Sequence, residues 1–200
     1  MKTPLASKIL KNLLPCDGEV YKIENFIDEA NAYFEQIYKN TQWEQKDITL
    51  FGKTFKQPRL ISWYSDPGIV YKYSNTSFKS KAWPKNLEFL KNKLNESFGT
   101  QFNSVLLNLY RTGQDSMGLH SDDEKELGKN PVVASISLGA ERVFRFKHKT
   151  KKNCSQNILL KSGTLLMMQG ETQHQWKHEL PKAKHATTPR YNLTFRSIKD

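Results

Sequence analysis

A mainly β protein with flanking helices, built as a sandwich or jelly-roll barrel, is the fold class this sequence predicts. Three observations carry the expectation. From residue 105 onward, short segments of strand character follow one another closely: Val105 to Tyr110, Val132 to Leu138, Arg142 to Lys147, Asn157 to Leu160, Thr164 to Met168, Gln173 to Lys177 and Pro189 to Arg196. Gly139, Gly163 and Gly170 punctuate that series. Helical spacing is confined to two earlier stretches. Asp28 to Lys39 carries Ala30, Tyr33, Phe34 and Ile37 on one face, enough to lie on a sheet. A second helix begins at Pro84, a residue suited to a helix start, and runs to about Asn95, with Leu87, Leu90 and Leu94 facing inward. Both read as structural elements buttressing one outer face of a roll. Such a roll is open at one end, where side chains from several strands can converge.

The chain has 200 residues, enough for one domain with a substantial core, and shows no internal repeat and no evident linker. Lys and Arg number 31 against 20 Asp and Glu, leaving +11. A charge of that sign and size favours a polyanionic partner such as nucleic acid. The two cysteines, Cys16 and Cys154, lack metal-ligand spacing and are too few to staple a secreted scaffold, so free thiols in a reducing compartment are expected. Leu5 to Leu14 is interrupted by Lys8, Lys11 and Asn12 and does not read as a signal peptide. No stretch approaches the roughly 20 apolar residues of a membrane span. The expectation is a soluble, intracellular monomer with no membrane partner, cytoplasmic in a prokaryote or nuclear in a eukaryote.

His120-Ser121-Asp122 is the first chemically informative motif. In extended backbone, residues two apart point to the same side, so His120 and Asp122 can reach one ion while Ser121 turns away. Two imidazoles and one carboxylate that leave positions open on a metal suit non-haem Fe(II). A second histidine must come from elsewhere. His174 and His178 are both candidates, and their equal parity means alternation cannot choose between them. His148 and His185 lie among lysines, which favours a neutral surface or phosphate-contacting role.

In Arg190-Tyr191-Asn192-Leu193-Thr194-Phe195-Arg196 the polar residues occupy the even positions and the bulky apolar ones the odd. One face is polar and the other belongs to the core. An outer strand of a basic protein would show the same alternation for solubility. Six residues at about 3.3 Å each need only modest curvature or side-chain reach for the two arginines to bracket a small dicarboxylate, whose carboxylates match guanidinium forks. Asn108 and Tyr110 share this spacing, with Leu107 and Leu109 opposite, and either serve the same diacid or satisfy buried backbone.

Taken together, Asn108-Leu-Tyr, His120-Ser-Asp-Asp-Glu, Ser135-Ile-Ser-Leu-Gly, Gly163-Thr-Leu-Leu-Met-Met and Pro189-Arg-Tyr-Asn-Leu-Thr-Phe-Arg resemble the AlkB family of Fe(II)- and 2-oxoglutarate-dependent nucleic-acid dealkylating dioxygenases, especially its duplex-DNA-repairing branch. The likeness spans about Leu50 to Ile198. It implies a double-stranded β-helix, or jelly roll, in a single domain over 1–200, with 105–198 as catalytic core and 45–80 as a substrate-recognition hairpin region. It implies Fe(II) ligands His120, Asp122 and His178. His178 is chosen over His174 because it stands ahead of Leu180-Pro181 and twelve residues before the first arginine, as the family places it. It assigns Asn108, Tyr110, Arg190, Thr194 and Arg196 to 2-oxoglutarate, with Asn192 assisting, and leaves open which arginine meets which carboxylate.

The implied reaction uses Fe(II), O₂ and 2-oxoglutarate to hydroxylate an N-methyl group. Formaldehyde is released with succinate and CO₂, restoring adenine or cytosine from 1-methyladenine or 3-methylcytosine type lesions, so no protein nucleophile is required. On the substrate side, the resemblance places Asp123 at the damaged base, with Glu124 beside it, and a carboxylate there favours a cationic methylated base over the neutral one. Tyr71 and Tyr73 match positions that hold or stack the base. Leu50-Phe51-Gly52-Lys53-Thr54-Phe55 resembles a hairpin inserted into the opened duplex, with Phe51 as the intercalating residue and Arg59 nearby. The basic segments 147–152 and 182–185 suit phosphate contact. Rival readings are RNA demethylation or protein hydroxylation on the same scaffold, or a non-catalytic basic jelly roll that binds nucleic acid.

Overall fold

The structure, a computed structural model, describes residues 10–50, 52–73, 76–78 and 80–199. Its first half runs β1 (Glu19–Ile23), α1 (Ala30–Asn40), β2 (Asp47–Leu50), β3 (Lys53–Lys56), β4 (Leu60–Ser65), β5 (Tyr71–Tyr73), β6 (Thr76–Phe78) and α2 (Lys85–Phe98). The second half continues with β7 (Ser104–Tyr110), β8 (Met117–His120), β9 (Val133–Gly139), β10 (Arg142–His148), β11 (Ser155–Leu160), β12 (Thr164–Gln169), the short helical turn α3 (Thr172–Gln175), β13 (Trp176–Leu180) and β14 (Arg190–Arg196). Two sheets dominate. One has the order β1-β12-β9-β14-β7-β4 and the other β11-β10-β13-β8. Their pairings are antiparallel throughout, so the expected mainly β jelly roll with flanking helices is the observed architecture.

Alternation along β14 explains how the layers form. Tyr191, Leu193 and Phe195 turn to one face, where they join Leu107, Leu109 and Ile136 in the main core. Ile37 of α1 and Leu87, Leu90 and Leu94 of α2 cover that same face, as their helical spacing predicts. Pro84 precedes α2 and Gly99 ends it at φ +65°, a left-handed conformation that costs glycine least. Leu90 is wholly buried. Leu90→Ala should destabilise the fold by about 2–5 kcal/mol, read from the denaturant midpoint at an unchanged slope. A cost near zero would mean that α2 does not clamp the sheet.

The space between the two sheets is divided. At the β1–β12 side Val20, Val133, Leu166 and Met168 meet Phe146, Ile158, Leu160 and Trp176 in a second apolar cluster. At the other side the even-numbered residues of β14 face inward, and β14 is no outer strand but lies between β9 and β7 with every residue buried. Its register sets Asn192 beside Asn108 and Arg190 beside Tyr110. A polar pocket therefore opens on one flank of an otherwise dry sandwich.

Two expectations need correction. Only the end of the expected strand 173–177 is extended: Thr172–Gln175 coils into one helical turn, and the strand begins at Trp176. The Thr172 hydroxyl donates to Gln169 O and accepts Glu19 N–H, which anchors the turn and overrides strand propensity. Strands β1, β4 and β8 also lie outside the predicted series, although β4 is buried along most of its length. The expected hairpin appears as β2 and β3, paired from Asp47↔Lys56 to Leu50↔Lys53.

Candidate metal centre

His120 ends β8, Asp122 follows two residues later, and His178 lies in β13 directly opposite His120 in the ladder. One ligand atom from each of the three falls within 4.8 Å of the others. The two imidazole rings stand 4.3 Å apart, edge to face. Each is held by its surroundings. The Nδ1–H of His120 donates to Gly118 O at 2.9 Å, which fixes the tautomer and leaves Nε2 with its lone pair 3.9 Å from Asp122 Oδ1. Ser121 turns away as alternation requires, and its hydroxyl donates to Trp176 O at 2.9 Å. The Asp122 N–H donates to the side-chain oxygen of buried Gln173, and Arg196 Nη2 donates to Asp122 Oδ1 at 2.8 Å.

The electrostatics suit a cation. Asp122 is 1% exposed; burial pushes its carboxyl up, but Arg196, His178 and His120 outweigh this and hold it at about 2. Burial, with His120 adding, drives His178 down to about 3, and burial likewise lowers His120. The centre therefore presents two neutral imidazoles and one carboxylate at neutral pH, the protonation states that metal ligation needs. His178 Nδ1 is buried without a hydrogen-bond partner among the described residues. A divalent ion fits this donor set, with two nitrogens and one oxygen converging beside a cavity.

That cavity is walled by Arg59, Asn108, Tyr110, Asn192, Thr194 and Arg196 together with the three histidine and aspartate side chains. Asn192 donates to Ser135 Oγ at 2.6 Å and accepts from the Thr194 hydroxyl at 2.8 Å. Arg196 sits at the metal end through its bond to Asp122. Arg190 lies at the other end of the strand, donating to Ser137 Oγ at 2.8 Å, with its guanidinium carbon 5.5 Å from the centre of the Tyr110 ring. It is buried, and burial brings it down to about 10.

The remaining expected residues fall as follows. Arg59, expected near the opened duplex, is buried in the cavity wall and donates to Asn108 Oδ1 at 2.9 Å. Asp123 is exposed and pairs with Lys149 at 3.2 Å. Glu124 is half-buried and its carboxyl is raised by burial and by Asp122. Tyr71 and Tyr73 bound β5, which pairs with β6. Phe51 lies outside the described residues. His174 is exposed on α3, where Nε2 accepts Asn130 N–H at 3.3 Å, and it takes no part in the cluster. His185 is exposed. His148 is a correction: it is no surface residue but is buried edge-on against Trp176, with Nε2 3.2 Å from Asp17.

Sequence reasoning missed several supports. Ser135 and Ser137 receive the β14 side chains, and their alternation in Ser135-Ile136-Ser137 is a signal that places them on the inner face. Gln173 and Arg142 carried no local signal. Arg142 is buried and donates to Asp115 O and Pro181 O, closing the loops beside Tyr110.

Two histidines and an aspartate converging inside a jelly roll, with arginines along the same inner face, define the class of site that non-haem iron oxygenases use. A family model for the 2OG-Fe(II) oxygenase superfamily matches residues 19–196. Alpha-ketoglutarate-dependent dioxygenase alkB homolog 3 of Homo sapiens is 40% identical over 86% of this chain and 64% of its own length. DNA oxidative demethylase ALKBH2 of Homo sapiens is 36% identical over 85% of this chain and 69% of its own, and that of Mus musculus is 36% identical with 75% of its length covered. A solved structure titled "The structure of OsALKBH1" superposes with a TM-score of 0.67 at 18% identity, over 94% of this chain and 99% of that one, and supports the fold alone.

The chain belongs to the AlkB family within the 2OG-Fe(II) oxygenase superfamily. Members of that superfamily are oxygenases that use Fe(II) and 2-oxoglutarate, and the donor set of His120, Asp122 and His178 fits such an ion. The chain spans 64% of the length of the alkB homolog 3 relatives, less than two thirds.

Proposed function

We propose that this chain is a DNA repair enzyme that removes small alkyl groups from N1 of adenine or N3 of cytosine, with duplex DNA as its preferred substrate. The observation that carries the reading is the convergence of His120, Asp122 and His178 beside the inward polar face of β14. In this reading those three residues hold Fe(II). Arg196, already bonded to Asp122, would orient that ligand and hold one carboxylate of 2-oxoglutarate. Arg190, Tyr110 and Asn108 receive the far end, with Asn192 and Thr194 between.

When bound, iron, co-substrate and O₂ supply the oxidising power that hydroxylates the N-alkyl carbon, converting 2-oxoglutarate to succinate and CO₂. The hydroxylated N-methyl group then breaks its C–N bond, releasing formaldehyde and the restored base. Nothing in this sequence requires a protein nucleophile. Asp123, next in sequence to Asp122 and exposed, would supply a negative charge for a cationic methylated base that displaces Lys149. The formal charge of +11 supports a polyanionic substrate over a peptide, and the likeness to DNA oxidative demethylase ALKBH2 supports DNA. Residues 45–80, with the β2–β3 hairpin, form the substrate-recognition region in this reading.

Duplex preference rests on the hairpin and is tested there. Filling the stack left by an extruded base offsets an unstacking cost of roughly a few kcal/mol, a cost that single strands scarcely incur. Phe51→Ala should therefore lower activity on a methylated duplex more than on the matching single strand, while 2-oxoglutarate turnover without nucleic acid and thermal stability stay near wild type. Equal losses on both substrates, with a lower melting temperature, would make Phe51 a packing residue and remove the argument for duplex repair.

A further inference from the structure

We infer that Cys16 and Cys154 are a redox-active pair that closes to an intramolecular disulfide and clamps the segment before β1 to the β10–β11 turn. They stand 138 residues apart in sequence, yet their sulfurs lie 3.9 Å from one another, in contact and half-buried. Closure to the S–S length of about 2.05 Å asks the two sulfurs to approach by about 2 Å.

Each sulfur is carried by a segment that is fixed on its own. On one side, Asn12 braces the loop by donating to Gly18 O at 2.8 Å and accepting Leu14 N–H and Val20 N–H. On the other, the His148 N–H donates to Cys154 O at 2.9 Å, while its Nδ1 accepts the Lys151 and Thr150 N–H groups at 2.9 and 3.2 Å. The meeting of the two thiols is thus set by surrounding structure, which is the condition for selective pairing.

The same cluster offers metal-type donors, since Cys16, Asp17 and His148 have ligand atoms within 4.8 Å. The proton arrangement argues against a metal. With Nδ1 of His148 receiving two backbone N–H groups, the neutral ring carries its proton on Nε2, aimed at Asp17 Oδ2. No lone pair is left there for a cation. The Asp17 carboxylate is already bonded to the Lys151 ammonium, which fills the seat of positive charge. What the cluster retains is two adjacent thiols.

The reaction balances with a hydroperoxide as oxidant. One thiol takes an oxygen atom to become a sulfenic acid as the hydroperoxide is reduced to its alcohol; the second sulfur, losing its proton, displaces that oxygen as water and forms the S–S bond. Overall, two thiols and one hydroperoxide give one disulfide, one alcohol and one water.

The clamp lies behind the metal centre. Trp176 Nε1–H donates to Asp17 O at 2.6 Å and Cys16 O at 3.2 Å, Trp176 O accepts from Ser121 between two of the ligands, and His178 follows in the same strand. A disulfide would tie down both walls around Trp176 together with the basic turn at 147–152.

The test treats the iron-loaded protein with diamide, a thiol-specific oxidant that avoids mixing peroxide with iron. Free thiols are then alkylated and the peptides mapped by mass. Expected are one Cys16–Cys154 cross-linked peptide pair, reversal by dithiothreitol and a rise of several degrees in Tm on oxidation, all lost in Cys16→Ser and in Cys154→Ser. Full alkylation of both thiols after diamide, cross-links between molecules only, or a disulfide with no rise in Tm would overturn the clamp. So would stoichiometric zinc in the purified protein, bound in wild type and lost in either variant.

Discussion

Asp122→Ala and His178→Ala should each abolish iron-dependent turnover, whereas His174→Ala should stay within a few-fold of wild type. Removing one of three protein ligands changes both metal affinity and the geometry at the open positions. Asp122→Ala removes in addition the only carboxylate of the triad and, with it, the 2.8 Å ion pair to Arg196. His174 is exposed and, among the described residues, its ring only accepts the Asn130 N–H, so loss of that ring touches neither triad nor cavity. Parallel Fe(II) titrations and demethylation assays on the three variants check this. Near-normal activity in His178→Ala combined with loss in His174→Ala would reverse the assignment.

Arg190→Lys and Arg196→Lys should each weaken 2-oxoglutarate binding by roughly 10- to 100-fold, the scale of a charge-assisted, two-pronged contact worth about 1.5–3 kcal/mol. An ammonium keeps the charge but loses the planar fork. The two variants should differ in kind. Arg196 also holds Asp122, so its replacement should lower kcat and iron affinity along with co-substrate affinity. Arg190 touches Ser137 and Tyr110 far from the triad, so its replacement should appear mainly in the KM for 2-oxoglutarate. Steady-state kinetics with oligonucleotide saturating separate these cases. Unchanged KM in both variants would sink the diacid site.

Much of this site is legible in the sequence, for identifiable reasons. The alternation in β14 survives because a strand with one face on the helices and one on a polar pocket must segregate its side chains with period two. His120 and Asp122 were readable as a pair for the same reason. The choice between His174 and His178 was not readable from parity, because 172–175 coils into a helical turn whose anchor is Thr172 reaching back to β1, a contact 153 residues distant. His148 was misread because its lysine neighbours follow the exposed face of the turn, while its own ring is drawn inward by Trp176 and by Asp17, 131 residues away. The Cys16–Cys154 contact is equally non-local. What remained hidden is what long-range packing decides.

The central claim, that the triad and the β14 face together run an oxidative dealkylation of nucleic acid, is tested most directly by one coupled measurement. Oligonucleotides bearing 1-methyladenine or 3-methylcytosine, single-stranded and duplex, are incubated with the protein, Fe(II), ascorbate, O₂ and 2-oxoglutarate, and the base, formaldehyde and succinate are quantified by mass spectrometry. The account predicts restored adenine or cytosine, one formaldehyde and one succinate for each methyl group removed, with no methyl loss when iron or 2-oxoglutarate is omitted. Oligonucleotide binding with the methyl group intact and no substrate-dependent succinate above the uncoupled background would contradict it.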